Sequence, residues 1–167
     1  GDWYNYLDLK DAVGSDLLAQ RGQAGGGDMA FLDRIGTALA AAGGARAESF
    51  YDATRLAVGG LVPSGATAWV WGNTILWDAG QAYDKAVMNH EYVHVLQYRR
   101  DGVGFLVSYG LQDAALYVYN AQASQQGLET IRKYYGGNSY ETQGQRVEDI
   151  YAERPRAWYL PSVWSMP

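Results

Sequence analysis

His90-Glu91-Tyr92-Val93-His94 holds the only two histidines of the chain, four residues apart, with a glutamate directly after the first. On a helix, a step of four turns the side chain by only about 40°, so both imidazoles leave one face roughly 6 Å apart. Two rings so placed suit two ligands of one tetrahedral zinc ion. Glu91, one position on, leans over the place where such a site keeps a water, and can take its proton. Two histidines and six glutamates scattered at random give this arrangement roughly 4 times in 10,000, so composition does not account for it. The ordinary alternative is a helix with two solvated or core histidines, which gives the adjacent acid no task.

Two histidines leave zinc two ligands short. A catalytic site takes one more protein ligand and leaves the fourth position to water. The chain has no third histidine and no cysteine, so that ligand must be Asp or Glu. The downstream candidates are Asp101, Asp113, Glu129, Glu141, Glu148, Asp149 and Glu153. Asp101 lies too close to the end of the histidine helix to fold back. Glu141 opens a helix after the Gly136-Gly137 break, and Gln145 and Glu148 share its face at steps of four and seven. Glu141 is therefore the expected ligand; its competing role is that of a capping-box glutamate three residues after Asn138. Glu148 is the second choice, and is otherwise a surface charge paired with Arg146 or Arg154.

The elements that must position these groups are legible from periodicity and punctuation. Residues 1–27 read as a weakly structured segment, with a glycine-rich connector at Gly22–Gly27. Asp28 is placed to cap a helix through Phe31, Leu32, Ile35 and Leu39, stopped by Gly43-Gly44. A second helix is expected from Ala45 to Val58, with Phe50, Leu56 and Ala57 toward the core. The period then changes. Ala66 to Asp78 alternates around Gly72-Asn73, which predicts strand, tight turn, strand, or equally a bulge there, since Gly-Asn is a less common hairpin pair than Asn-Gly. Asp84 caps the histidine helix, Lys85 to about Arg100, with Val87, Val95 and Leu96 on its apolar face and Asp101-Gly102 ending it. Helices are expected over 105–126 and 128–135, and a last one from Asn138 or Ser139 to about Glu153. The proline- and tryptophan-containing tail reads as an extended arm. The chain is thus expected to be α+β, mostly helical, with a small hairpin or sheet before the histidine helix, and residues 28–167 forming one domain.

Composition narrows the class. At 167 residues the chain suits one domain that buries about two thirds of its unfolded surface. Apolar residues make up 48% and charged ones 19%, as in ordinary globular proteins. A net charge of −5, with no basic run longer than two, argues against nucleic acid or an anionic membrane as main partner. No apolar stretch approaches a membrane span, and no signal-peptide pattern is visible. The chain begins at Gly1 without a methionine, which reads as a trimmed or processed fragment. The 23 aromatics (14 Tyr, 6 Trp, 3 Phe) serve a core and an amphipathic surface, or line a cleft for an extended ligand.

The segment His-Glu-Tyr-Val-His-Val-Leu-Gln-Tyr resembles the active helix of zincin metallopeptidases of the glutamate-ligand (gluzincin) branch. Arg100 stands where the three-histidine metzincin pattern needs its last ligand. More closely, the chain is similar to small bacterial peptidase domains found with extracellular contractile injection systems and Rhs-type toxins. The likeness covers roughly residues 60–153: Trp71-Gly72-Asn73-Thr74-Ile75 before the helix, Gln97 three after the second histidine, Gly104-Phe105 and Tyr109 beyond it, and Asn138 to Glu141 downstream. It departs at Gly144-Gln145, where many relatives have alanine followed by an acid. The acid that orients a histidine is then sought at Asp149 or Glu148.

The resemblance implies a zincin-like fold holding one zinc ion per chain on His90, His94 and Glu141. Peptide-bond hydrolysis would follow, with Glu91 as general base and then acid. A tyrosine (Tyr134, Tyr135 or Tyr140) would face the oxyanion, and the strand ending near Trp77 would offer its edge to a peptide. Peptide or protein substrates, and a secreted or secretion-associated setting within a larger parent assembly, are also implied. The competing expectation is a non-catalytic module on the same scaffold that binds a partner through its aromatic surface.

Overall fold

The computed structural model describes residues 10–111 and 139–153. Its helices are α1 (Ser15–Leu18), α2 (Asp28–Ala42), α3 (Lys85–Asp101), α4 (residues 103–111) and α5 (Ser139–Glu153). The strands are β1 (Glu48–Tyr51), β2 (Thr54–Val58), β3 (Ala68–Trp71) and β4 (Thr74–Trp77). They form one mixed sheet in the order β1-β2-β4-β3, with β2 and β4 parallel and both outer pairs antiparallel. The class is α+β. No helix among the described residues is long and apolar enough to cross a membrane.

Alternation along β4 explains how the sheet is covered on both faces. Successive strand residues point to opposite sides, and all four of Thr74, Ile75, Leu76 and Trp77 are buried. Ile75 and Trp77 join Val70, Val93 and Leu96 in the larger core cluster, on the side of α3. Leu76 joins Ala40 of α2 and Ala57 of β2 on the other side. Gly72 takes a φ of 63° at the first position of the two-residue β3–β4 turn, as a type II′ hairpin requires.

The histidine helix forms where capping chemistry predicts it. The Asp84 side chain accepts hydrogen bonds from the backbone N–H groups of Ala86 and Val87, at 2.9 and 3.3 Å. Gly102 follows its last residue, with a positive φ. Every residue from Glu91 to Arg99 is buried, because the sheet, α1 and α5 all pack against α3. Its apolar contribution is therefore wider than the expected Val87, Val95 and Leu96 face, and includes Met88, Tyr92, Val93 and Tyr98.

Several expectations need correction. Residues 45–58 are not a helix but the β1–β2 hairpin, with Phe50 exposed and Ala57 buried. The two turn residues, Asp52 and Ala53, both have positive φ (50° and 57°), the geometry of a two-residue hairpin loop. Such backbone costs about 1–2 kcal/mol per non-glycine residue, and here Asp52 is held by partners distant in sequence. Its carboxylate accepts from the Arg99 guanidinium at 2.8 Å, from the Tyr92 hydroxyl, and from the Gly22 N–H at 2.7 Å. Arg99, its side chain fully buried, also donates to the Asn73 side chain at 2.8 Å and the Gln20 carbonyl at 3.2 Å. One guanidinium on α3 thus ties together both hairpin turns, at the end of the sheet where β2 and β4 begin.

The segment 1–27 is not weakly structured throughout. Residues 10–13 and α1 are helical, and Ala12, Val13, Leu17 and Leu18 lie in the core. Asp28 is the first helical residue of α2, with Gly27 at the cap position and no side-chain cap bond. The strand ending at Trp77 is interior, and β3 forms the edge beside α3. Most of the helices expected over 105–126 and 128–135, together with the C-terminal tail, fall outside the described residues; 103–111 is helical.

Candidate metal centre

α3 and α5 cross so that His90 and His94 face the first turn of α5. The His90 and His94 Nε2 atoms are 3.2 Å apart, and each lies 3.0 Å from an oxygen of Glu141. Two imidazole nitrogens and a carboxylate so placed could hold a metal ion. Ligand bonds of 2.0–2.1 Å in tetrahedral geometry set neighbouring donor atoms about 3.3 Å apart; the two nitrogens meet that spacing, and Glu141 turns Oε2 to His90 and Oε1 to His94. The Glu141 carboxylate reaches across to α3; Asn138, its expected capping partner, lies outside the described residues.

The outer nitrogens of both rings are held as well. His90 Nδ1 lies 3.1 Å from Glu148 Oε2, and His94 Nδ1 lies 2.7 Å from Gln97 Oε1. Glu148, the second-choice ligand, thus orients His90 rather than joining the ligand set. It stands two turns along α5 from Glu141, on the face that meets α3. Gly144 lies between them, and a Cβ there would come within 2.8 Å of His90 Cδ2 and Nε2. The glycine lets α5 approach the ring.

Asp149, the other expected partner for a histidine, is exposed and accepts from Gln145 at 2.9 Å on the far side of the helix. Tyr140 packs its ring on Phe105 at 4.8 Å, and its contribution to the site is its backbone carbonyl, which accepts from Gln97. Tyr134 and Tyr135 lie outside the described residues. Asp101 accepts from its neighbour Arg100.

A hydroxyl does reach the centre, from an unexpected place. Tyr109 on α4 donates to Glu141 Oε1 at 2.7 Å, within an aromatic group of Phe105, Tyr109 and Tyr140 that flanks His94. Glu148 stands in the histidine-orienting place for which it and Asp149 were the expected acids, whereas Tyr109, Gln97 and Gly144 were not assigned these roles from sequence. A glycine inside an otherwise regular helical pattern was the one available sign, since it costs about 1 kcal/mol relative to alanine and so points to a close approach.

Three carboxyl groups crowd the centre. Glu91, Glu141 and Glu148 surround two imidazoles, an arrangement that attracts a cation. Burial alone would lower the His90 pKa, but the Glu141 hydrogen bond, the charges of Glu91 and Glu141, and the Glu148 hydrogen bond together push it up to about 9. Burial opposes ionisation of Glu141, yet hydrogen bonds with His90 and His94, the His94 charge and the Tyr109 hydroxyl hold it well below the usual carboxylate range. Glu91 behaves oppositely: burial raises its pKa, only partly offset by the two histidines.

A cleft of about 510 Å³ opens beside the centre. Glu91, His94, Glu141 and Tyr109 line one part, and Pro63, Ala66, Val70, Phe105 and Leu106 line much of the rest. The β3 edge strand forms a wall, and no lysine or arginine lines the cleft among the described residues. No protein-family model, no curated protein and no solved structure matches this chain.

Proposed function

We propose that this chain is a zinc-dependent peptidase of the gluzincin type, with His90, His94 and Glu141 as the ligands and Glu91 as the proton-transfer group. The observation that carries this is the convergence of two imidazoles and one carboxylate beside a cleft lined by His94, Glu141 and Glu91. Two nitrogens and one oxygen, without sulfur, suit zinc in a site that keeps one position open. Bound there, zinc supplies Lewis acidity, polarising a carbonyl and lowering the pKa of a water toward about 7.

The protein's own groups perform the remaining tasks. Glu91 accepts the water proton on a carboxylate oxygen whose basicity burial has increased, then returns it to the leaving amine. Tyr109 lines the cleft with a hydroxyl whose one hydrogen, given to Glu141 here, would turn to charge that develops on the scissile oxygen. The β3 edge provides backbone groups for an extended peptide, and the apolar lining favours uncharged, bulky side chains next to the cleaved bond. Glu91 also argues against a purely structural metal, which would close its fourth position and needs no acid beside it.

The test combines metal analysis with cleavage of a broad peptide library. Zinc should bind at one ion per chain, and Glu91→Gln should keep the ion while losing at least 100-fold in cleavage rate. Protein that takes up no zinc when zinc is supplied sinks the metal reading. Equal behaviour of the wild type and Glu91→Gln on every peptide favours the binding module.

A further inference from the structure

Gln97 lies three residues after His94 on α3, is fully buried, and reaches in two directions. Its Nε2 lies 3.1 Å from the Tyr140 backbone carbonyl and 2.8 Å from Gln143 Oε1, both on α5. Its Oε1 lies 2.7 Å from His94 Nδ1. A backbone carbonyl accepts and never donates, so Tyr140 fixes which end of the Gln97 amide is the NH₂. The opposite end is then an acceptor, and His94 Nδ1 must carry the hydrogen it receives. A neutral imidazole protonated at Nδ1 has its lone pair on Nε2. That is the nitrogen 3.0 Å from Glu141 and 3.2 Å from His90 Nε2.

We infer that Gln97 is a positioning residue of the metal centre, through which the Tyr140 carbonyl on α5 selects the tautomer that His94 presents to the ion. The inference rests on the metal reading above and deepens it. The two histidines are backed by different chemistry. Glu148 places a carboxylate behind His90, whereas Gln97 places a neutral amide behind His94. The amide suits its position. Glu91, Glu141 and Glu148 already supply three acids, and an acid at 97 would turn one oxygen toward two groups that accept. Because Tyr140 directly precedes Glu141, the carbonyl that orients Gln97 sits beside the carboxylate ligand. Docking of α5 therefore delivers one ligand and orients another.

Gln97→Met removes both halves of this link at similar size. Gln97→Glu keeps an acceptor for His94 Nδ1 and loses the donors to α5. Zinc titration should find Gln97→Met 10- to 100-fold weaker than wild type, with Gln97→Glu recovering to within several-fold of wild type even where both variants melt earlier. In zinc-loaded wild type, long-range ¹⁵N–¹H correlation spectra should show His94 protonated at Nδ1, with a slowly exchanging proton. That measurement stands even if a variant fails to fold.

Gln97→Met binding as tightly as wild type overturns the inference and leaves the metal reading intact. So does Gln97→Glu binding no better than Gln97→Met, which would reduce Gln97 to an anchor for α5. A His94 that coordinates through Nδ1, or a freely exchanging Nδ1 proton, overturns it as well. Wild type that binds no zinc removes the metal reading, and this inference with it.

Discussion

At the scale of single residues, the proposed ion and a proton would compete for one place. His90 carries a proton at neutral pH in the metal-free protein, because Glu141 and Glu148 flank both of its nitrogens and lift its pKa to about 9. A cation must displace that proton. Zinc binding at pH 7 should therefore release a proton, and affinity should rise with pH until about 9, by about tenfold per unit for one displaced proton. Calorimetric titration in buffers of different ionisation heat measures the release directly. The metal-free fold should respond in the opposite direction. A folded-state pKa above the unfolded value gives stability that is complete below about 6.5 and is lost as pH rises through about 9. Metal-free protein that gains stability from His90 over this range would contradict the assignment.

Gly144 permits a second test at this scale, because Gly144→Ala separates helix stability from metal binding. Alanine favours the α5 helix by about 1 kcal/mol, but its Cβ would lie 2.8 Å from the His90 ring. Zinc affinity should fall at least tenfold while the circular dichroism of the helix is retained. Sequence alone made His90, Glu91 and His94 legible, because their spacing is local and rare. Glu141 was found by eliminating other ligand types and by its place at the start of a helix. Tyr109 and Gln97 could not be assigned in this way, and Glu148 could be named only beside Asp149 as the acid behind a histidine. Their roles depend on which atom faces which across 32 to 58 residues of chain, and no spacing rule encodes that.

At the scale of elements, the hairpin of residues 48–58 marks where local propensity lost to long-range pairing. Alanine, arginine, glutamate and leucine between Ala45 and Leu56 favour a helix, and the Asp52-Ala53 turn carries no glycine to announce it. Strand pairing of β2 with β4, and the Arg99–Asp52 contact 47 residues apart, decide the outcome. The β3–β4 hairpin was legible by contrast, since Gly72-Asn73 advertises its turn. The strained loop makes a prediction of its own. Ala53→Gly relieves a left-handed backbone and should raise Tm by about 2–4 °C, as about 1 kcal/mol does in a chain of this size. Asp52→Ala leaves the buried Arg99 charge without its carboxylate and should cost about 3–5 kcal/mol. Denaturant melts of the two variants should move in opposite directions. If both fall, the Ala53 backbone is not the strained one; if Asp52→Ala costs nothing, the turn is held by something other than Asp52.

At the scale of the molecule, an ion on His90, His94 and Glu141 would join two helices that the sequence keeps far apart. His90 and His94 stand on α3, which is buried against the sheet, while Glu141 stands on α5. Gln97 and Glu148 bridge the same two helices. A ligand that binds only the folded chain stabilises it by about 2.7 kcal/mol at 100 times its dissociation constant, so zinc should raise Tm by about 5–10 °C. The effect should not be uniform. α3 keeps its packing against β3 and β4 without the ion, whereas α5 meets it through the ligand, its hydrogen bonds and the apolar contacts of Val147 and Tyr151. Chelation should therefore speed amide hydrogen exchange in α5 well before α3 or the sheet. Exchange followed by mass spectrometry with and without EDTA reads this directly. Equal acceleration everywhere would mean that the ion stabilises the fold globally and is not the fastening of α5.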